Sequence, residues 1–378
     1  MLRNLALAGA MLLSASFAAD AQETIRIGAA MPITGPVAHG ALQEKRGLET
    51  ALEEINAAGG VLGKPLELVY EDNQCNPSVA VTVTTKLLEA GVPAVLGQQC
   101  SSAVLATMSL FQRAEVPLVS SIATNPKISE LSGVGGNPWV FRLNPSDREL
   151  AVANVNYLAS LGTIQKVAIV AESTDYGRGG ADAFAEAAKQ KGLEVVSTDF
   201  HQLAAPDFTT IIARLLNNGA QAVAVYQAHA DNANFARQAH AQGLKAIMTG
   251  KLSLDGNTFA ELIQQGAYDN AVTAFPYSPA VDTPENKAFT AHILEKYGES
   301  ATYETFAGYE SLRILAEAIT RAGSAEPAAI RDALEATSYK SMIGATVDFD
   351  DHNQAHNNAV IITVDDRVLG VKDVFPTK

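Results

Sequence analysis

An alternation constrains this chain more than any other feature. Short apolar runs that read as strands take turns with longer stretches patterned as helices. "TIRIGAAMPI" leads to "EKRGLETALEEINAAGG", "PLELVYEDNQC" to "PSVAVTVTTKLLEAG", and "VPAVLGQQC" to "SSAVLATMSLFQRAE", before "VPLVSSIA". Parallel strands need a crossover between them, usually a helix, so this order predicts an open α/β sheet covered on both faces. After "WVFRLNPSD" the pattern starts afresh: "KVAIVAES", the helix "GGADAFAEAAKQKG", "LEVVSTDF", the helix "FTTIIARLLNNG", "AVAVYQA", the helix "NFARQAHAQG" and "AIMTG". Two α/β lobes are therefore written in tandem, which suits a chain of 378 residues. A third stretch opens with "AVTAFPYSP", carries two helical patterns, and closes on the strands "ATVDF", "AVIITVDD" and "VLGVKDVF".

The first residues do not belong to this scheme. Arg3 precedes an apolar stretch from Leu5 to Ala18, followed by Ala19-Asp20-Ala21. That is the layout of a secretory signal peptide, residues 1–21, cut after Ala21. No cysteine stands at the cleavage site and no later apolar run is long enough to span a bilayer, so a soluble, exported periplasmic protein is expected. The formal charge of −14 argues against nucleic acid or an anionic membrane as partner. Cys75 and Cys100 are the two cysteines, and in an oxidising compartment an even pair reads most simply as a disulfide, with two free thiols the competing reading.

In an open parallel sheet, ligands gather where strand ends feed helix starts. "MPITGPVAHGA", "GQQCSS", "SSIATN", "ESTDYGRG", "YQAHAD" and "TGKLSLDG" all follow expected strands. Ser101 or Ser102 begins a helix, whose free N–H groups and positive dipole end suit an anion. The same residue type also serves as a plain helix cap, and spacing alone leaves the two uses even. For catalysis the chain offers no G-x-S-x-G, H-E-x-x-H, phosphate loop or dinucleotide fingerprint. His352 and His356, like the paired acids Asp350 and Asp351, fall in an Asn- and Asp-rich turn, so a solvated loop is favoured over a metal or acid/base site. No enzyme activity, metal or cofactor is expected.

"MPITGPVAHGALQEKRGLETALEEINAAGGVLGKPLELVYEDNQCNP", "VLGQQCSS", "SSIATNP" and "STDYGRG" resemble the periplasmic leucine/isoleucine/valine-binding proteins, the branched-chain amino-acid family of ABC importer solute-binding proteins. The likeness runs over essentially the whole mature chain and includes both cysteines. It implies a type I periplasmic binding fold, two Rossmann-like lobes joined by a three-strand hinge and closing on a ligand. The implied crossings fall near Arg142, Phe275 and Val360, giving 22–142 plus 275–360 to one lobe and 143–274 plus 361–378 to the other. It also implies that the solute is handed to an ABC importer permease, and nothing in the sequence requires more than a monomer. Residue by residue, the carboxylate-binding serine falls on Ser101, the ligand-facing loop on Ile122, Ala123 and Thr124, and the second-lobe tyrosine on Tyr176.

Two departures from the family pattern bear on the ligand. Where branched-chain binders carry an aromatic after "GPVA", this chain has His39-Gly40, which is expected to open space. Where they hold the α-ammonium with an acid two residues beyond a strand-end glycine, this chain has Gly250-Lys251-Leu252. Burying an ammonium without a counter-charge costs several kcal/mol, more than a charge-assisted hydrogen bond of roughly 1.5 to 3 kcal/mol offsets. Either Asp255 or Asp231 replaces the acid, or the ligand lacks an ammonium. The second option predicts a benzoate-like or phenylpropanoid carboxylate, with Tyr176 as aromatic wall, Lys251 as a second positive charge, and His39, Tyr226 and His229 as partners for a ring hydroxyl. A branched-chain amino acid is the alternative ligand. A sensing regulator or receptor domain built on the same lobes is disfavoured by the signal peptide and the lack of a membrane span.

Overall fold

The computed structural model describes residues 23–377; the expected signal peptide lies outside them. The first sheet has five parallel strands in the order Leu66–Asp72, Ile25–Met31, Val95–Gly97, Leu118–Ser120, Val140–Arg142. The second has four, in the order Glu194–His201, Lys166–Glu172, Ala222–Tyr226, Ile247–Gly250. Central strands of both sheets are buried almost end to end, the signature of a parallel sheet with helices on each face. In each lobe the strand order reverses beside the first strand, so the carboxyl ends of Ile25–Met31 and Val95–Gly97, and of Lys166–Glu172 and Ala222–Tyr226, mark switch points where a crevice opens.

The third stretch is antiparallel. Val272–Phe275 and Val368–Thr377 both pair with the long strand Ala355–Asp365, whose start also pairs with Thr346–Phe349. Ala355 packs into the core of the first sheet, whereas Ala359 and Ile361 pack with Val167 and Ile169 of the second. Wholly buried Arg142, ending the first sheet, donates through Nε to Gln354 Oε1 at 2.5 Å, tying two of the connecting segments together.

Between these strands the chain returns to the first lobe. Helix Tyr303–Ala322 lies along helix Ala38–Ala57, and two glycines let their backbones touch: a Cβ on Gly47 would sit 2.0 Å from Thr305 O, and one on Gly308 2.2 Å from Glu44 O. Helix Asp147–Ser160, absent from the sequence pattern above, starts the second lobe on a Ser146–Glu149 capping box. The helix expected at "NFARQAHAQG" begins earlier, at His229.

Cys75 and Cys100 form a disulfide with Cα atoms 5.6 Å apart. It ties the turn after Leu66–Asp72 to the residue that opens helix Ser101–Ala114. A bridge closing a loop with a sequence separation of 25 contributes about 3 to 4 kcal/mol by restricting the unfolded chain. The double variant Cys75→Ser, Cys100→Ser is expected to lose about that much in urea unfolding; an unchanged midpoint would contradict the loop-closure account.

Candidate ligand-binding cleft

The two switch points face one another across a cavity of about 420 Å³, and residues from both lobes line it. Ser101, Ile122, Ala123, Thr124, His39 and Gly40 come from the first lobe, Tyr176, His229 and Lys251 from the second. Nine of the sequence-derived candidates thus meet at one place.

Ser101 is the first residue of its helix, behind Cys100, which makes no side-chain cap. Its Oγ accepts from Asn125 N–H at 3.3 Å, so the hydroxyl spans two strand-end loops instead of capping its own helix. The first N–H groups of a helix lack intrahelical acceptors, and here the two residues that carry them, Ser101 and Ser102, line the cleft at the positive end of the helix dipole. Thr124 donates to Asp147 Oδ2 at 2.8 Å, which leaves its lone pairs for a donor. That donor is Lys251, whose Nζ lies 3.4 Å from Thr124 Oγ1.

Lys251 is the centre of the site. Gly250 ends its strand at φ +93°, and a Cβ there would come within 2.6 Å of Val225 N, so the turn that delivers Lys251 requires glycine. The lysine is only 8% exposed, and its ammonium stands 5.2 Å from the Tyr176 ring centre, 5.5 Å from Tyr303 and 6.0 Å from Phe275. Burial pushes Lys251 down, against the pull of Asp147; burial pushes Asp147 up, against the pull of Lys251. A cation so placed favours an anion that enters beside it.

A second group surrounds Gly40. His39, in the first turn of its helix, and His229, at the start of another, bring their rings to 5.1 Å across the cleft, and His229 rests edge-on against Phe259 at 4.5 Å. Burial holds His229 below the usual imidazole range, with Glu304 opposing and His39 adding to the shift. Glu304 and Gln99 complete the group.

Four expectations are corrected. Tyr226 does not line the cavity: its side chain is fully buried between Tyr176 and Phe184, pressed against Gly180 of the helix behind the strand. Leu252 does not line it either, because it turns into the core beside Leu254 and Phe259. Gly40 borders the cleft, yet a Cβ on it would meet Gln99 Nε2 at 2.9 Å, so the space left by the missing side chain is already taken. Neither acid offered as a replacement reaches the cavity lining: Asp231 accepts from Ala204 N–H, and Asp255 accepts from Tyr303 N–H at 2.6 Å.

His352 and His356 do not converge. One Nδ1 lies 3.2 Å from Ser132 O, and the other lies 2.7 Å from Asp348 Oδ1 on a neighbouring strand. Among the described residues no group of three His, Cys, Asp or Glu is placed to hold a metal, and no helix is long and apolar enough to cross a membrane.

Residues 24–368 match the periplasmic binding protein family. The chain belongs to that family. Among its relatives, the leucine-, isoleucine-, valine-, threonine- and alanine-binding protein of Pseudomonas aeruginosa is 29% identical over 352 residues, 93% of this chain and 92% of the relative. The branched-chain amino acid transporter substrate-binding protein of Streptococcus pneumoniae, solved with isoleucine, is 25% identical and superposes with a TM-score of 0.83 over 94% of this chain and 100% of its own. A solute-binding protein of an ABC transporter from Rhodopseudomonas palustris, solved with benzoate, shares the fold at 18% identity, with a TM-score of 0.85 over 93% and 96% of the two chains. This periplasmic binding protein is thus a solute-binding protein of the branched-chain amino-acid type, a non-enzymatic class that works with ABC transporter permeases.

Sequence reasoning missed several residues that line the periplasmic binding protein's cleft: Gln99, Glu172, Thr174, Gln227, Phe275, Tyr303 and Glu304. Gln99, Glu172, Thr174 and Gln227 stand at strand ends already marked as ligand loops, so position alone could have found them. Tyr303 and Glu304 have no such local signal, since they arrive with the returning helix. Glu172 is occupied: Thr174 Oγ1 donates to one oxygen at 2.6 Å, Ala228 N–H to the other at 2.7 Å, and burial pushes the carboxyl up to about 7.

Proposed function

We propose that the protein captures a small carboxylate with a flat aromatic body, of the benzoate or phenylpropanoid kind, by closing its lobes over it. The observation that carries this reading is Lys251, a buried ammonium in the cleft where an amino acid would bring a second ammonium of the same sign. The carboxylate would take the Ser101 hydroxyl, the helix N–H groups and Lys251, while Tyr176, Phe275 and Tyr303, which surround the ammonium, would offer an aromatic wall to the ring. Burial of the ring then contributes about 1.5 to 3 kcal/mol toward closure. A fold neighbour solved with benzoate is in keeping with this chemistry.

Glu304, an acid in the same cleft, favours a second reading, a hydrophobic amino acid whose ammonium it would receive. The deciding experiment is a thermal-shift titration of protein unfolded and refolded to strip carried-over ligand, against leucine, isoleucine, valine, phenylalanine, benzoate, 4-hydroxybenzoate and coumarate. A ligand that binds only the folded state raises the melting temperature by mass action. Stabilisation by the aromatic acids alone is expected; stabilisation by the amino acids alone would establish the second reading.

The variant Ser101→Ala is expected to weaken carboxylate binding by about 1 to 3 kcal/mol with the fold intact. Unaltered affinity in a folded variant would remove Ser101 from the site.

A further inference from the structure

Three polar atoms of cleft-lining side chains are buried without a hydrogen-bond partner: Gln99 Oε1, Gln227 Oε1 and His229 Nδ1. Each is costly as it stands, because a buried polar group without a partner loses its hydration and gains nothing in return. Two of them belong to the group around Gly40. Gln99 packs over Gly40 together with Glu304, and the neighbouring His39 brings its ring to 5.1 Å from that of His229. Gln227 Nε2 is already engaged with His201 Nε2 at 2.8 Å, which leaves its oxygen as the free end. The two amide oxygens can only accept, and the imidazole nitrogen accepts or donates according to its tautomer, so the requirement here is first of all for a hydrogen-bond donor.

The edge of an unsubstituted aromatic ring cannot meet that requirement, since it offers only C–H bonds. We infer that the cleft reads a hydroxyl on the ring, and that its ligands are hydroxylated aromatic carboxylates, with His229 and Gln99 as the residues that discriminate them from the unsubstituted acids. This rests on the aromatic-carboxylate reading above. A phenolic O–H donates to one orphaned acceptor while its oxygen can accept from an imidazole or amide N–H, so a hydroxyl relieves one of the acceptors that the free cleft leaves open. Burial pushes His229 below the usual imidazole range, which favours the neutral ring and its acceptor nitrogen. Sites built to bond a substrate hydroxyl reject the analogue lacking it far more strongly than apolar pockets reject an added methylene.

The test is calorimetric titration of the refolded protein at pH 7.5 with matched acids: benzoate against 3-hydroxybenzoate, 4-hydroxybenzoate and 4-methoxybenzoate, and cinnamate against 4-hydroxycinnamate. At least one hydroxylated acid is expected to bind tenfold or more tighter than its parent, with the methoxy acid, which has no proton to give, failing to share the gain. In His229→Phe, which keeps a ring against Phe259, and in Gln99→Leu, that ratio is expected to fall below threefold, with urea unfolding confirming that each variant is folded. Parents and hydroxylated acids binding within threefold of one another would overturn the hydroxyl inference and leave the aromatic reading standing. A tenfold ratio that survives both variants would overturn the assignment to His229 and Gln99. Binding of none of these acids, with leucine or valine binding instead, would remove the aromatic reading itself.

Discussion

Lys251→Met is expected to weaken binding of the aromatic acid by about 2 to 4 kcal/mol, roughly 30- to 1000-fold in Kd. The ammonium is desolvated whether or not ligand is present, so a carboxylate entering beside it gains Coulomb attraction at the cost of its own desolvation alone, the lysine's having been met on folding. Methionine keeps the length and apolar stem while removing the charge, and replacing a buried charge with an apolar group of similar volume is often neutral for stability. Calorimetric titration of both proteins checks it. Leucine affinity that rises in the variant while benzoate affinity holds would show that Lys251 had been excluding an ammonium and not seating a carboxylate.

The second large effect is on stability against pH. Burial pushes Glu44 and Glu310 up to about 7, although Ser121 donates to the first and Ser341 Oγ and Met342 N–H donate to the second. A carboxyl whose folded pKa lies above its unfolded value holds its proton more tightly when folded. Stability from it is complete below the unfolded value near 4.5, falls as pH rises toward 7, and is flat beyond. For a fully buried group raised this far the change is on the order of 3 kcal/mol. Glu310→Gln carries no titrating group, so it is expected to gain on wild type between pH 5.5 and 8.5 in urea unfolding. Parallel curves for the two proteins would mean that Glu310 is ionised throughout.

The architecture was legible because parallel strands buried on both faces write themselves as unbroken apolar runs, as in Lys166–Glu172 and Ala222–Tyr226. Ser101, Thr124 and Lys251 were legible for a related reason, since strand ends and helix starts are visible in one dimension. Side-chain direction was not. Beyond Gly250, one step along the backbone separates Lys251 in the cleft from Leu252 in the core, and a strand pattern does not say which of two neighbours faces inward. Tyr226 failed similarly, its ring turned to the helix behind the sheet. At Gly40 the missing side chain was visible but its filler, Gln99, was not, because that contact joins residues far apart in sequence. Tyr303 and Glu304 reach the cleft only through the returning helix.

That return also sets an order of events for the newborn chain. Contacts of the Ala38–Ala57 helix with the returning segment include Gln43 to Glu299, 256 residues away, and backbone meets backbone at Gly47 and Gly308. Emerging amino end first, the leading lobe lacks part of its own hydrophobic cover until the whole second lobe has been made. Early assembly is therefore confined to pieces with local contacts, and consolidation waits for the tail. A fragment ending before Tyr303 would expose the flank of Ala38–Ala57 and aggregate, whereas the middle of the chain, whose sheet is made from consecutive strands, could take shape first.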